Sequence, residues 1–219
     1  MKIGVAIPCY SGHIEKLYNL LDSIENQTLL PDKVVISCSS TKELKINRDY
    51  NFCLQIILNE EQKNVSQNRN IAGLNLNNMD YITFIDADDI MHPQRIEFLF
   101  KTFQSTNSDI ILHNYHFGES TDIFKYYETV NFRINSMTKC YSGCITHYDK
   151  DSNFKIHHGH VSVKRHIFEK VKFPEEEDFH TREDSVFCFF VFSLPDITNA
   201  YIVNELSLYN PSSTGGYKC

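Results

Sequence analysis

The chain has 219 residues, 42% hydrophobic and 13% aromatic, enough for one sizeable core and too apolar for a disordered chain. Twenty-eight acidic residues against 21 basic ones leave a formal charge of -7. That balance argues against a nucleic-acid partner, which usually meets an excess of Lys and Arg, and any anionic ligand would need a bound cation or a local basic patch. The longest apolar stretch, Val186 to Leu194, falls well short of the roughly 20 residues of a membrane span. The N-terminus reaches Pro8 before a signal-length hydrophobic segment can form. The expectation is a soluble, cytoplasmic chain with no integral membrane segment. The seven cysteines are odd in number and scattered, which suits small buried hydrophobes in a reducing compartment better than a disulfide framework. Cys140 and Cys144 resemble half a zinc site, and no second Cys pair completes it.

In chain order, Ile3 to Ile7 is an apolar run closed by Pro8 and reads as a buried parallel strand. Ile14, Leu17, Tyr18, Leu21 and Ile24 recur at helical spacing over 13–27. Val34 to Cys38 and Leu54 to Leu58 read as two further strands. Ser66 is the expected cap of a helix over 67–76, with Ile71, Ala72 and Leu74 as its apolar residues. Tyr81 to Ile85 is a fourth strand that stops at Asp86-Ala87-Asp88-Asp89. Pro93 sits at an expected first helical position, ahead of the face Ile96, Leu99, Phe100 and Phe103, and Asp109 opens a fifth strand. This alternation predicts an α/β fold with a mainly parallel central sheet flanked by helices. The second half is richer in His and weaker in periodicity, with exposed loops expected at 150–153 and 175–178. A single domain over 1–219 is expected, with a regular half at 1–105 and an irregular one at 106–219.

Ligands of open α/β sheets bind beyond the carboxyl ends of the strands, where Asp86, Asp88 and Asp89 fall. Asp is common in a strand-end turn because it accepts local backbone hydrogen bonds. Three crowded carboxylates also suit a hard cation, Mg²⁺ or Mn²⁺, with positions left open for phosphate oxygens. An apolar strand ending at the cluster and a helix opening behind it favour the cation.

Three segments carry a resemblance. Ile3 to Tyr10 is similar to the opening strand of family 2 glycosyltransferases, Asn64 to Gly73 resembles the family's Ser-x-Ala-Arg-Asn helix, and Asp80 to Asp89 resembles its strand ending in Asp-x-Asp-Asp. Order and spacing agree across roughly the first 105 residues. The resemblance implies a GT-A fold, a nucleotide-diphosphate sugar donor with UDP as the expected nucleotide, a divalent metal (Mn²⁺ or Mg²⁺), inversion at the anomeric carbon, and a glycan or other hydroxyl acceptor. Pro8, Tyr10, Ser37, Ser39, Arg69, Asp86, Ala87 and Asp88 would line the nucleotide-sugar site, with Asp88 and Asp86 on the metal. The family's second strand normally ends in acidic residues; here Val34 to Ser40 carries none, which leaves base recognition to backbone groups or to Ser37 and Ser39.

Inverting transfer needs a base opposite the metal cluster. Glu183-Asp184 opens an apolar helical run, Val186 to Phe192. With the preceding 160–171 segment it is similar to the family's acceptor half, which makes Asp184 the base and Glu183 its orienting partner. An acidic pair at a helix start is also a favourable cap against the macrodipole. His157, His158 and His160 lack the spacing of a zinc site on one strand, and a strand bringing His158 or His160 to the acceptor or phosphate is expected instead. The tail from Leu206 to Gly216 reads as a flap or a frayed end. Two other functions are compatible with parts of the pattern: a non-catalytic nucleotide-sugar binder, and a phosphatase of the haloacid-dehalogenase type with Asp86 as nucleophile.

Overall fold

The computed structural model describes residues 1–46, 48–118, 124–148 and 153–209. Its strands are β1 (Ile3–Tyr10), β2 (Lys33–Ser39), β3 (Cys53–Asn59), β4 (Tyr81–Phe84), β5 (Ile90–Met91), β6 (Ile110–Phe117), β7 (Phe132–Ile134), β8 (Met137–Lys139), β9 (Ile145–His147), β10 (Ser162–Lys164) and β11 (Asn199–Tyr209). The helices are α1 (Ile14–Glu25), α2 (Val65–Leu74), α3 (Arg95–Thr106), α4 (Arg165–Lys170) and α5 (Glu183–Val191). The main sheet runs β3-β2-β1-β4-β10-β6-β11-β5, with β7 also on β11, while β8 and β9 form a separate hairpin.

The parallel expectation holds for the strands that matter to a ligand. β1 is parallel to β2 and β4, β2 to β3, and β6 to β11. Because β10 is antiparallel to both β4 and β6, β4 and β6 point the same way. The carboxyl ends of β1, β2, β3, β4, β6 and β11 therefore share one edge, and the turn that feeds β10 joins them there.

Period-2 alternation explains the layering. Val5, Ile7, Val34 and Ile36 pack with Leu17, Leu20, Leu21 and Ile24 of α1 on one face. Ala6 and Val35 face the other way, into a core with Ala72 of α2, Phe168 of α4 and Phe187 of α5. A third cluster seats Phe98, Leu99 and Phe103 of α3 against Ile111, Ala200 and Ile202. Strands buried on both faces need continuous apolar runs, which is why these were readable.

Several boundaries move. β1 continues through Pro8 to Tyr10, pairing there with β2 alone, since β4 stops opposite Ala6; a residue without an N–H is tolerated on such a one-sided stretch. Helix α3 starts at Arg95, two residues past Pro93. The tail is part sheet: Leu206 to Tyr209 belong to β11, and 210–216 lie outside the described residues, as do Lys150, Asp151 and Ser152. The 175–178 loop is exposed as expected. No helix among the described residues is long and apolar enough to cross a membrane.

Candidate active site

At the shared strand edge lies a cleft of about 850 Å³, lined by Pro8, Tyr10 and Ser39 from the ends of β1 and β2, Asn68 and Arg69 from α2, Asp86 to Asp88 from the turn after β4, and Glu183 from α5. This is within the range of pockets that enclose a small organic ligand.

Helix α2 is the joint of the site. Asn64 caps it, with Asn64 Oδ1 accepting from the Gln67 N–H at 2.8 Å and Gln67 Oε1 accepting from the Asn64 N–H at 3.0 Å. This reciprocal box satisfies two otherwise orphaned donors, so the cap is Asn64 rather than Ser66, which is buried inside the first turn. Successive helical residues point about 100° apart, so Asn68, Arg69 and Asn70 reach three different neighbours. Asn68 accepts from Ser37 Oγ at 2.9 Å and donates to Ser39 Oγ at 3.0 Å. Asn70 pairs like a strand with Phe173, donating to its carbonyl at 2.9 Å and accepting from its N–H at 3.0 Å. Between them Arg69, only 2% exposed, donates from Nη2 to Asp86 Oδ1 and from Nη1 to Glu183 Oε1, each at 2.7 Å. Burial opposes its charge, but Asp86, Glu183 and Asp184 outweigh burial and hold the guanidinium protonated. The apolar residues expected to bury this helix divide: Ala72 is buried, Ile71 half-buried and Leu74 exposed, because the inward face meets polar groups of the cleft.

The carboxylates of the turn part company. Asp86 is committed to Arg69. Asp88 is 8% exposed and its Oδ2 is buried without a hydrogen bond, with His13 Nε2 3.6 Å away. A buried, unsatisfied, hard oxygen at a cleft is the donor a divalent cation takes, so the residues fit the ion that the sequence implies. Asp89 is turned inward: its Oδ2 lies 2.7 Å from His160 Nε2, and His160 Nδ1 lies 2.7 Å from Ser207 Oγ on β11. Asp89, His157 and His160 also bring three ligating atoms within 4.8 Å of one another. However, the two imidazoles stack at 3.9 Å and 18°, which aims their lone pairs along near-parallel planes. In this arrangement Asp89, His160 and Ser207 form a hydrogen-bonded brace that ties the acidic turn to β11, with His157 stacked on it.

Glu183 and Asp184 occupy the first turn of α5, as expected. Burial raises the Glu183 carboxyl by more than Arg69 lowers it, and Asp184 adds to the rise. For Asp184 burial also works upward, but Arg69, His158 and His157 outweigh it and the net shift is down. Glu183 is thus held by Arg69, whereas Asp184 is kept ionised. Gly159 explains how closely these groups meet: a Cβ there would lie 3.1 Å from His157 Cε1, 3.2 Å from Arg69 Nη2 and 3.3 Å from Asp184 Oδ2.

The structure thus gathers Pro8, Tyr10, Ser39, Arg69, Asp86, Ala87, Asp88 and Glu183 at one cleft, with Asp184 beside Arg69. Ser37 is fully buried and its hydroxyl holds Asn68, so it supports the cleft wall without lining it. The expected histidine strand is a 3-10 turn, His158–His160. His158 Nε2 lies 3.3 Å from the backbone N and O of Ile145, and His160 is fully buried with both ring nitrogens engaged; neither reaches the cleft. Sequence reasoning missed His13, Asn68 and Asn70. Asn68 and Asn70 flank an Arg in the helix's first turns, but nothing in the sequence names their partners; His13 carried no signal of its own.

Comparison with known proteins identifies the family and the fold. Poly(ribitol-phosphate) beta-N-acetylglucosaminyltransferase TarP of Staphylococcus aureus is 28% identical over 121 residues, 52% of this chain and 36% of TarP. Glycosyltransferase GlyA of Streptococcus pneumoniae is 31% identical over 152 residues, 64% of this chain and 22% of GlyA. The chain therefore spans about a third or less of these relatives. The crystal structure of S. aureus TarS 1-349 in complex with UDP-GlcNAc superposes with a TM-score of 0.67 at 16% identity, covering 100% of this chain and 62% of that one, a likeness of fold. Residues 4–172 match the family described as glycosyl transferase family 2, and the chain belongs to that family.

Proposed function

We propose that this chain transfers a hexose from a nucleotide-diphosphate sugar, with UDP as the nucleotide, to a hydroxyl of a glycan or other acceptor, with Mn²⁺ or Mg²⁺ and with inversion. The observation that carries this is Arg69, which joins Asp86 on the donor side to Glu183 on the acceptor side across one cleft. Neighbouring structures support the donor: TarS is solved with UDP and with UDP-GlcNAc.

Tyr10, half exposed at the end of β1 and tilted against His13 at 4.2 Å between ring centroids, offers the nucleotide an aromatic wall, with Pro8 and Ser39 beside it. Asp88, with Asp86, would hold the cation, which when bound supplies positive charge against the departing diphosphate. Arg69 keeps Asp86 and Glu183 from repelling each other and places Asp184 next to them. Asp184, ionised, takes the proton from the acceptor hydroxyl as that oxygen attacks the far face of the sugar carbon. Removal of such a base costs on the order of 10²–10⁴ in rate.

Calorimetric titration with UDP, with and without Mn²⁺, tests the donor half. Asp88→Ala should abolish the Mn²⁺-dependent part of binding. Asp184→Asn should bind UDP normally and lose transfer, and NMR of the product formed by the unsubstituted protein should show an inverted anomer. Transfer by Asp184→Asn at the wild-type rate would remove the base assignment; donor binding with no turnover on any acceptor would point to a binding protein.

A further inference from the structure

The β8–β9 hairpin carries chemistry that the transfer reaction does not use. Its strands pair Lys139 with Ile145, and the ladder continues one step to Cys140 and Cys144, whose N–H and C=O meet at 2.9 Å. Tyr141, Ser142 and Gly143 make the turn, with Gly143 in the left-handed region at φ +80° and its N–H bonded to the Cys140 carbonyl at 3.2 Å. A hairpin turn of this length favours a glycine there. It brings the two sulfurs to 2.7 Å, with Ser142 Oγ 2.8 Å from one and 3.2 Å from the other. Both cysteines are free and half-buried, in an exposed turn whose Tyr141 is fully exposed.

Cys9 and Cys38 also lie side by side, across β1 and β2, but inside the core; only at the hairpin tip, among the described cysteines, does a close pair meet solvent. Cys9, Cys38 and Cys188 are buried in the core, and Cys53 is exposed. Hydrogen bonds from Cys144 and then Ser142 pull the Cys140 thiol down to about 7, while burial raises Cys144. One sulfur is thus a nucleophile near neutral pH and the other a resolving thiol at contact distance, the pairing that favours disulfide formation over further oxidation.

We propose that Cys140 and Cys144 are a redox-active dithiol that hydrogen peroxide converts to a disulfide across the hairpin tip. The Cys140 thiolate attacks the peroxide, the O–O bond breaks, and a sulfenic acid forms as the first water leaves. The Cys144 thiol then attacks that sulfur, the S–S bond forms and a second water departs. Both sulfurs are oxidised and the peroxide oxygens are reduced. The hairpin is fastened to the acceptor side: Ile145 meets His158, and Lys139 Nζ donates to Ser193 Oγ at 3.3 Å and lies 5.3 Å from the Phe189 ring centroid. Oxidation would therefore stiffen a wall next to α5.

The test is intact-mass and peptide mapping of the full chain after hydrogen peroxide, with differential alkylation before and after dithiothreitol. The expected result is a reversible loss of the mass of two hydrogen atoms, mapped to a 140–144 linkage. The linkage should form ahead of lasting oxidation at the exposed Cys53, because Cys144 lies 2.7 Å from Cys140 and can trap its sulfenic acid. Cys140→Ser and Cys144→Ser should each abolish the linkage, Cys144→Ser leaving Cys140 to oxidise without a partner. Free, alkylatable Cys140 and Cys144 after peroxide would overturn the proposal. So would a loss of two hydrogens that persists in the double variant. Neither outcome depends on glycosyl transfer.

Discussion

The two halves of the molecule bury different things at the strand edge. In the first half, β1 and β2 hide aliphatic side chains on both faces, and polar groups gather where these strands end. In the second half polar groups enter the interior beside the apolar core: His113 and His160 are fully buried, and Arg95 reaches in from one flank to donate to Thr83 Oγ1, the Phe84 carbonyl and the His160 carbonyl. A regular sheet supplies a stiff platform at little polar cost. The acceptor wall is held by individual hydrogen bonds, each of which has to be satisfied. Arg69 is where the two kinds of construction meet.

Cutting that joint should have the largest effect. Arg69→Ala leaves Asp86 and Glu183 without their shared cation, and removal of one partner from a buried ion pair costs about 3–5 kcal/mol. Denaturant unfolding should show that loss, and transfer should fall by at least the 10²–10⁴ expected when a catalytic group is misplaced. Arg69→Lys should not restore either, since one ammonium cannot make both 2.7 Å bonds in the planar fork. A lysine variant with wild-type stability and activity would mean that the halves are joined elsewhere.

This contrast also governs what could be read from the sequence. Strands β1, β2 and β4 announced themselves because double-faced burial demands unbroken apolar runs, and the acidic turn was visible because three carboxylates in four residues follow directly on Ile85. The Glu183-Asp184 pair was legible as a helix start with unusual neighbours. Asn70 was not: its partners, the N–H and C=O of Phe173, are backbone groups that leave no residue pattern. His160 was misplaced for a related reason. Periodicity locates a strand, but nothing in His157-His158-Gly159-His160 says that the last imidazole turns inward to Asp89 and Ser207.

The apolar layer of the donor side can be probed without touching the chemistry. Gly73 of α2 packs so closely that a Cβ would lie 2.6 Å and 2.7 Å from the Phe168 ring and 3.2 Å from Phe84. Gly73→Ala should destabilise by about 1–3 kcal/mol through overpacking, with the UDP affinity of the folded protein nearly unchanged. A large loss of affinity at unchanged stability would show that α2 transmits packing strain to Arg69.

The acceptor side should show itself through pH. Burial holds His113 well below its ordinary value, with Arg95 adding to the shift. The unfolded chain therefore binds this proton at a higher pH than the folded one does. Stability from this group is complete above about 6.5 and is lost as pH falls below that, at up to about 1.4 kcal/mol per pH unit. His157 and His158 are also lowered, first by burial, and act with the same sign. Urea midpoints between pH 7.5 and 5 should fall steeply, and His113→Asn should flatten the profile. An unchanged slope would assign the acid sensitivity to the other histidines.

The smallest effect separates two caps for the helix that carries Arg69. Asn64 makes both bonds of the capping box and also donates from Nδ2 to the Glu175 carbonyl at 3.0 Å, so it ties the start of α2 to the acceptor side as well. Asn64→Ala should cost about 1 kcal/mol, and Asn64→Ser should recover most of it because a hydroxyl can still accept from the Gln67 N–H. Ser66→Ala leaves the box intact and should cost less. The order of the three in denaturant unfolding decides the cap. If Ser66→Ala were the more damaging change, the first turn of α2 would be held from inside rather than by its cap. Arg69 would then owe its position to the contacts of Asn68 and Asn70 alone.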